Sequence, residues 1–254
     1  MILDILDKIN IPSHDDGIRF TKTDRIDFIK SELLKSQYRL TDLGIALIYS
    51  KKPIETLKDA SVILISSHVD CVKEMTTCFS KKIDNHFIKG TYDNSITNAA
   101  VLSLMLKNRL PDNVVIAFTG NEEYGGAGAI RVAEYFDSFD IVPITIVLDV
   151  TYDGYRENKF FTIENLNEYL ENSNFIPHTA LILKKEREHY VYVDDADIDE
   201  TWKYSKYEFP CFSLCLPVKG KMHSTEGVTV RLDSFKEYIR ALEKISNTSF
   251  ITFE

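Results

Sequence analysis

Ser61-Val62-Ile63-Leu64-Ile65-Ser66-Ser67-His68-Val69-Asp70 is apolar without alternation and then ends on an imidazole and a carboxylate. A strand apolar on both faces has to be covered on both sides, as the strands of parallel sheets are. Working outward, Val114–Phe118, Ile144–Leu148 and Phe212–Leu216 repeat the pattern. Helical spacing of apolar residues fills the intervals. Residues 2 to 9 and 24 to 38 read as amphipathic helices, the second carrying Ile26, Ile29, Leu33 and Leu34. Asn94 or Ser95 can cap a third helix that runs through Leu106 and stops before Pro111. Another follows Gly125-Gly126 as far as Phe136, and Ser234 to Ile245 closes the chain as an amphipathic helix. Thr41–Tyr49, Ala180–Leu183 and Tyr190–Val193 read as further short strands. Strands alternating with helices predict an α/β fold, a three-layer α/β/α sandwich around a mixed, largely parallel sheet.

With 254 residues and 44% hydrophobic content the chain can bury one full core, and residues 1–254 are expected to form a single domain. A net charge of -9 without any Lys/Arg cluster argues against nucleic acid as a partner, because phosphate binding needs a basic patch. Acids interrupt the N-terminal run Met1–Lys8, which therefore lacks the apolar core of a signal peptide. No stretch approaches the roughly 20 apolar residues of a membrane span, so no membrane partner is expected. Cys71, Cys78, Cys211 and Cys215 form neither a CxxC pair nor a dense disulfide framework, which fits a reducing cytoplasm.

The chemistry-bearing residues share a position as well as a type. His68, the pair Glu122-Glu123, Asp149 and His223 each follow an apolar strand, directly or after a short loop. The carboxyl ends of the strands are where ligand sites form in open α/β sheets, so these strands would deliver donors to one rim. His68 and Asp70 are two apart, and an extended backbone puts both on one face. One can ligate a metal while the other fixes its tautomer. Asp93 sits in a glycine-containing loop leading into a helix, where a plain capping role is the competing reading. Adjacent carboxylates diverge, so of Glu122 and Glu123 one can bind metal while the other handles protons. Asp149 is closer to its strand than Asp153 and is the preferred acid there. His14, His86, His178 and His189 have no comparable context.

This order of residues resembles the co-catalytic zinc exopeptidases, the superfamily of leucyl and deblocking aminopeptidases and of the aminoacylase/carboxypeptidase group. Ile11-Pro12-Ser13, Thr41-Asp42-Leu43-Gly44 and His68-Val69-Asp70 look like its opening. Leu148-Asp149-Val150-Thr151 and Phe209-Pro210-Cys211-Phe212, with Met222-His223-Ser224-Thr225-Glu226, look most like the deblocking aminopeptidase branch. The resemblance spans nearly the whole chain. It implies two divalent metal ions, one held by His68 and Asp149, the other by Glu123 and His223, with Asp93 bridging them. It also implies Glu122 as general base and acid, Asp70 as the residue orienting His68, and a cis peptide at Asp93-Asn94. Zinc is the implied metal, although cobalt or manganese suits the same donors. Relatives carry a domain inserted after the first His or after the Asp149 position. Here Cys71–Tyr92 is too short for one, and residues 150–222 match what the core requires, so a minimal member without lid or dimerisation domain is expected.

The function so implied is metal-dependent hydrolysis of a peptide or related amide bond, of the aminopeptidase type, with a small peptide as substrate. Two other readings compete with it. An amidohydrolase or deacylase would use the same core on N-acyl amino acids, and would need an Arg or Lys for the substrate carboxylate. Arg156 and Lys219 are available for that, and Asp153 for an α-ammonium. A non-catalytic metal-binding homologue would have lost some of these positions, whereas all of them are present. A closed structural zinc site fits poorly, since such sites favour Cys/His tetrahedra.

Overall fold

The computed structural model describes residues 2–58, 60–171, 173, 175–184 and 188–248. The first half of the chain contains α1 (Ile2–Ile9), β1 (His14–Asp15), β2 (Phe20–Lys22), α2 (Asp24–Leu33), β3 (Arg39–Asp42), β4 (Ala46–Ser50), β5 (Ile63–His68), β6 (Ser80–Lys82), β7 (Phe87–Gly90), α3 (Ser95–Leu106) and β8 (Val114–Thr119). There follow α4 (Ala127–Asp137), β9 (Ile144–Thr151), β10 (Phe161–Glu164), α5 (Glu168–Glu171), α6 (Phe175–Ile182), β11 (Tyr190–Val193), α7 (Thr201–Ser205), β12 (Cys211–Pro217), β13 (Lys219–Gly220), β14 (Val228–Arg231) and α8 (Leu232–Ser246).

Eight strands form the central sheet in the order β11-β10-β12-β9-β5-β8-β4-β3. Its middle is parallel, through the pairs β12/β9, β9/β5 and β5/β8. Antiparallel pairs β8/β4, β4/β3 and β10/β12 flank that core, and β10 and β11 run parallel at the far edge. Alternate residues of each buried strand feed opposite layers. Ile63, Ile65, Ile116, Phe118, Ile146 and Leu148 pack into one apolar cluster with Leu6, Ile29, Leu102 and Phe235 from α1, α2, α3 and α8. Leu64, Val115, Ala117 and Val147 point the other way, toward Val132 and Phe136 of α4 and Tyr204 of α7. The fold is therefore the three-layer α/β/α sandwich that unbroken apolar strands demand.

Some elements differ from their reading in the sequence. Ala180–Leu183 is not a strand: most of it is the end of α6. Phe175, Thr179 and Leu183 are buried while Leu181 is 68% exposed, a spacing of four that a helix, not a strand, produces. Helix α2 stops at Leu33, five residues early, where the Ser36 amide and hydroxyl both donate to the Leu33 carbonyl. The segment Thr41–Tyr49 folds back as the β3/β4 hairpin, because Gly44 adopts φ +82° and its amide donates to the Asp42 carboxylate. A second sheet, ordered β13-β14-β7-β6, carries no apolar signature in the sequence. It matters for the site, since the loop between β13 and β14 bears His223.

Candidate active site

Strand β5 ends on His68, whose ring is buried at the rim of the sheet. Its Nδ1 faces the Asp70 carboxylate at 3.4 Å, while the Asn98 side-chain amide from α3 donates to its carbonyl at 2.7 Å. Asp70, fully buried, also accepts the backbone N–H groups of Glu122 (3.2 Å) and Glu123 (3.3 Å). One carboxylate thus ties the end of β5 to the glutamate loop. That loop begins with Asn121 at φ +64°, whose carbonyl accepts the Gly125 amide, and whose own amide donates to Asp15. Gly128 at the start of α4 abuts Gly120 so closely that a Cβ there would lie 2.6 Å from Gly120 backbone atoms.

The loop sends its two carboxylates in different directions. Glu122 lies 4.0 Å from His68 Nε2, and Glu123 lies 3.3 Å from His223 Nε2. Asp93 stands between the two imidazoles, with Oδ1 at 3.3 Å from His68 Nε2 and Oδ2 at 2.9 Å from His223 Nε2. The Asp93-Asn94 peptide is cis, and Asn94 makes no capping bond to α3. Instead the Asn94 side-chain amide donates to the Leu148 carbonyl at 2.6 Å, linking this loop to β9. Asp149 on β9 brings Oδ1 to 3.7 Å from His68 Nε2. Met222 donates its amide to the Tyr152 hydroxyl at 2.8 Å, which fastens the His223 loop to the segment after β9. All seven residues singled out in the sequence therefore converge, and none of the remaining described histidines joins them.

Burial of so many carboxylates shifts their protonation. Glu122 is pushed up to about 9 and Glu123 to about 8, in both cases first by burial; neighbouring carboxylates add to the shift and His68 opposes it. Asp149 is raised as well, by burial first. Burial also opposes ionisation of Asp93, yet its bonds to His223 and His68 outweigh this and hold it below the usual carboxylate range. His223 rises to about 9, chiefly through its hydrogen bond to Asp93. Among the described residues, no Lys or Arg forms an ion pair with any member of the cluster. Concentrated negative charge of this kind is what bound cations neutralise.

A model of Peptidase family M28 matches residues 49–229, well over half of the chain and a span that includes the entire cluster. The chain belongs to this family. No curated protein matches it by sequence. Similar solved structures include a TET aminopeptidase from Thaumarchaeota archaeon SCGC AB-539-E09, with a TM-score of 0.75, 12% identity and coverage of 98% of this chain and 97% of that one. The Pyrococcus horikoshii TET1 peptidase gives a TM-score of 0.72 at 14% identity, covering 97% of this chain and 99% of its own. The aminopeptidase APDkam598 of Desulfurococcus kamchatkensis gives 0.72 at 13%, covering 98% and 95%. These likenesses bear on the fold.

As a member of M28 the chain is a metal-dependent peptidase, and its donors suit divalent cations. Single ligand atoms of His68, Asp93 and Glu123 lie within 4.8 Å of one another. Mixed imidazole and carboxylate donors fit zinc-like ions. Around this M28 centre stand acids that the sequence reading passed over. Glu164, Asp197 and Asp199 line a cleft of about 140 Å³ together with Glu122 and Asp149. Asp199 accepts the Ser213 hydroxyl and the Thr201 amide; Glu200 accepts the Ser66 and Thr119 hydroxyls, both at 3.0 Å. The signal available was the acidic run Asp194–Glu200, but its strand and helix assignments were unreadable, so no face could be given to it.

Proposed function

We propose that this M28 chain is an aminopeptidase-type exopeptidase that removes the N-terminal residue of small peptides. The observation that carries this reading is the character of the cleft at the metal centre. It is lined by carboxylates including Glu164, Asp197 and Asp199, with no lysine or arginine among its lining residues. A substrate ammonium group is favoured there, and an N-acylated substrate brings none to it. Arg156 and Lys219 line a separate cleft beyond Tyr152.

In this reading His68 and Asp149 would hold one metal and Glu123 and His223 the other, with Asp93 contributing to both. Zinc is the proposed metal. Divalent cations held by these donors supply Lewis acidity toward the scissile carbonyl and toward water. Glu122 takes a proton from the attacking water and returns it to the departing amine. Asp70 keeps the His68 tautomer and the Glu122-Glu123 backbone in place. The whole chain acts as one catalytic unit, and its unpaired thiols support a cytoplasmic location.

The test is a metal-reconstituted activity screen that pairs each free-amine aminoacyl or dipeptide substrate with its N-acetylated form. Turnover of the free-amine set, with little on the acetylated set, is expected. Preference for the acetylated partners would overturn the aminopeptidase reading in favour of a deacylase.

A further inference from the structure

Beyond Tyr152, which lines both, the acidic cleft gives way to a second one of opposite charge and about 530 Å³. That volume is in the range of small-molecule sites rather than of a single ion. Arg156, Lys219 and Arg231 line it with Tyr152 and Tyr155, and no acid is among its lining residues. Three cations gathered in one cleft stand out on a chain with a net charge of -9. Among the described residues, none of the three forms an ion pair.

Arg231 is already fixed in place. Its guanidinium stacks 4.1 Å from the Tyr155 ring centroid and donates one amino group to the Tyr155 carbonyl at 2.5 Å. Its other amino nitrogen is buried without a hydrogen-bond partner. The cleft is also mechanically joined to the metal centre. Lys219 and Arg231 lie on β13 and β14, the two strands whose connecting loop carries His223. Val218 donates to the Thr151 carbonyl at 2.7 Å, so the basic cleft starts at the same strand ends that supply Asp149.

We infer that this cleft binds a carboxylate on the leaving-group side of the substrate. The proposal rests on the aminopeptidase reading and adds a substrate class: short peptides whose negative charge lies one or two residues beyond the scissile bond. Ammonium and carboxylate ends would then be read by clefts of opposite sign on either side of Tyr152. The shared chemistry is a carboxylate, which a free C-terminus or an acidic side chain can supply.

The experiment uses the metal-loaded full chain and, with the N-terminal residue it cleaves best (Xaa), three substrates: Xaa-Gly, Xaa-Gly-amide and Xaa-Asp-amide. A KM about tenfold lower for Xaa-Gly than for its amide is expected, since a charge-assisted bond is worth at least that factor. A low KM for Xaa-Asp-amide would assign the cleft to an acidic side chain, and a high one to the C-terminus. Arg156→Gln/Lys219→Gln, at positions away from the metal donors, should remove the tenfold preference while leaving kcat and the KM of Xaa-Gly-amide unchanged. Arg231→Gln should do the same if the hairpin stays folded. Equal KM values for all three substrates, or a preference that survives the double variant, would overturn the inference. Calorimetric binding of Xaa-Gly to Glu122→Gln protein gives a reading without turnover. Tenfold weaker binding after adding the double substitution supports the cleft assignment, and unchanged or absent binding sinks it, whereas loss of turnover alone counts against the peptidase reading.

Discussion

At the residue scale, the proposed mechanism gives two carboxylates different tasks. Glu122 has no short bond to either imidazole, which leaves it free to exchange protons. Glu122→Gln should lower kcat by about 10²–10⁴-fold, the usual worth of a general base, while metal content measured by elemental analysis stays at the wild-type level. Asp70 is fully buried, and in the proposed mechanism its role is one of positioning. It acts through His68 and through the amides of residues 122 and 123. Asp70→Asn keeps the shape but removes the charge, and should weaken metal affinity about 10–100-fold, read by competition with a chelating dye. A loss of turnover with unchanged metal affinity would contradict that role.

At the scale of elements, the glutamate loop depends on backbone contact between β8 and α4. The Gly128 amide donates to the Gly120 carbonyl at 2.9 Å, and the space there admits no side chain. Gly128→Ala should cost about 1–3 kcal/mol of stability in a denaturant titration, the range for overpacking, and should also reduce kcat as the Glu122 segment shifts. The second sheet has a similar positioning function. Its β7 strand leads into Asp93 and its β13 and β14 strands flank His223, so the two loops that meet at 2.9 Å are held by one small sheet. These strands are short and mixed in polarity, which is why their pairing is invisible to a search for apolar runs.

At the scale of the whole molecule, buried acids make stability depend on pH and on metal. Burial raises Glu164 from 4.5 to about 7, against an opposing bond from Thr162. Because the folded state holds this proton more tightly, its contribution is present below pH 4.5 and is lost as pH rises through about 7. Glu164→Gln cannot charge, so it should be more stable than wild type at pH 8, by up to about 3 kcal/mol, and equal to it near pH 4.5. Urea titrations at the two pH values check this. Chelation should lower Tm and abolish activity, and zinc should restore both. A ligand present at 1,000 times its Kd stabilises the native state by about 4 kcal/mol.

Much of this molecule was legible in the amino-acid order. The unbroken apolar runs at 63–67, 114–118, 144–148 and 212–216 determine buried parallel strands, because a residue apolar on both faces has nowhere else to go. The same runs end on His68, the Glu122-Glu123 loop and Asp149, so a shared rim followed from strand direction alone. Helix or strand at 180–183 was not legible, since a four-residue apolar stretch satisfies either period until a neighbour covers one face. Nor could spacing reveal that Asp70 reaches the amides of 122 and 123, or that Asp93 faces both imidazoles. Those contacts join residues far apart in the chain, and their geometry exists only once β5, β8, β9 and the small sheet are packed together. Tertiary structure likewise separated the charges after position 150, setting Glu164 and Asp199 on one side of Tyr152 and Arg156, Lys219 and Arg231 on the other. Local sequence determines what a segment can bury, but only the packed fold decides which polar groups meet.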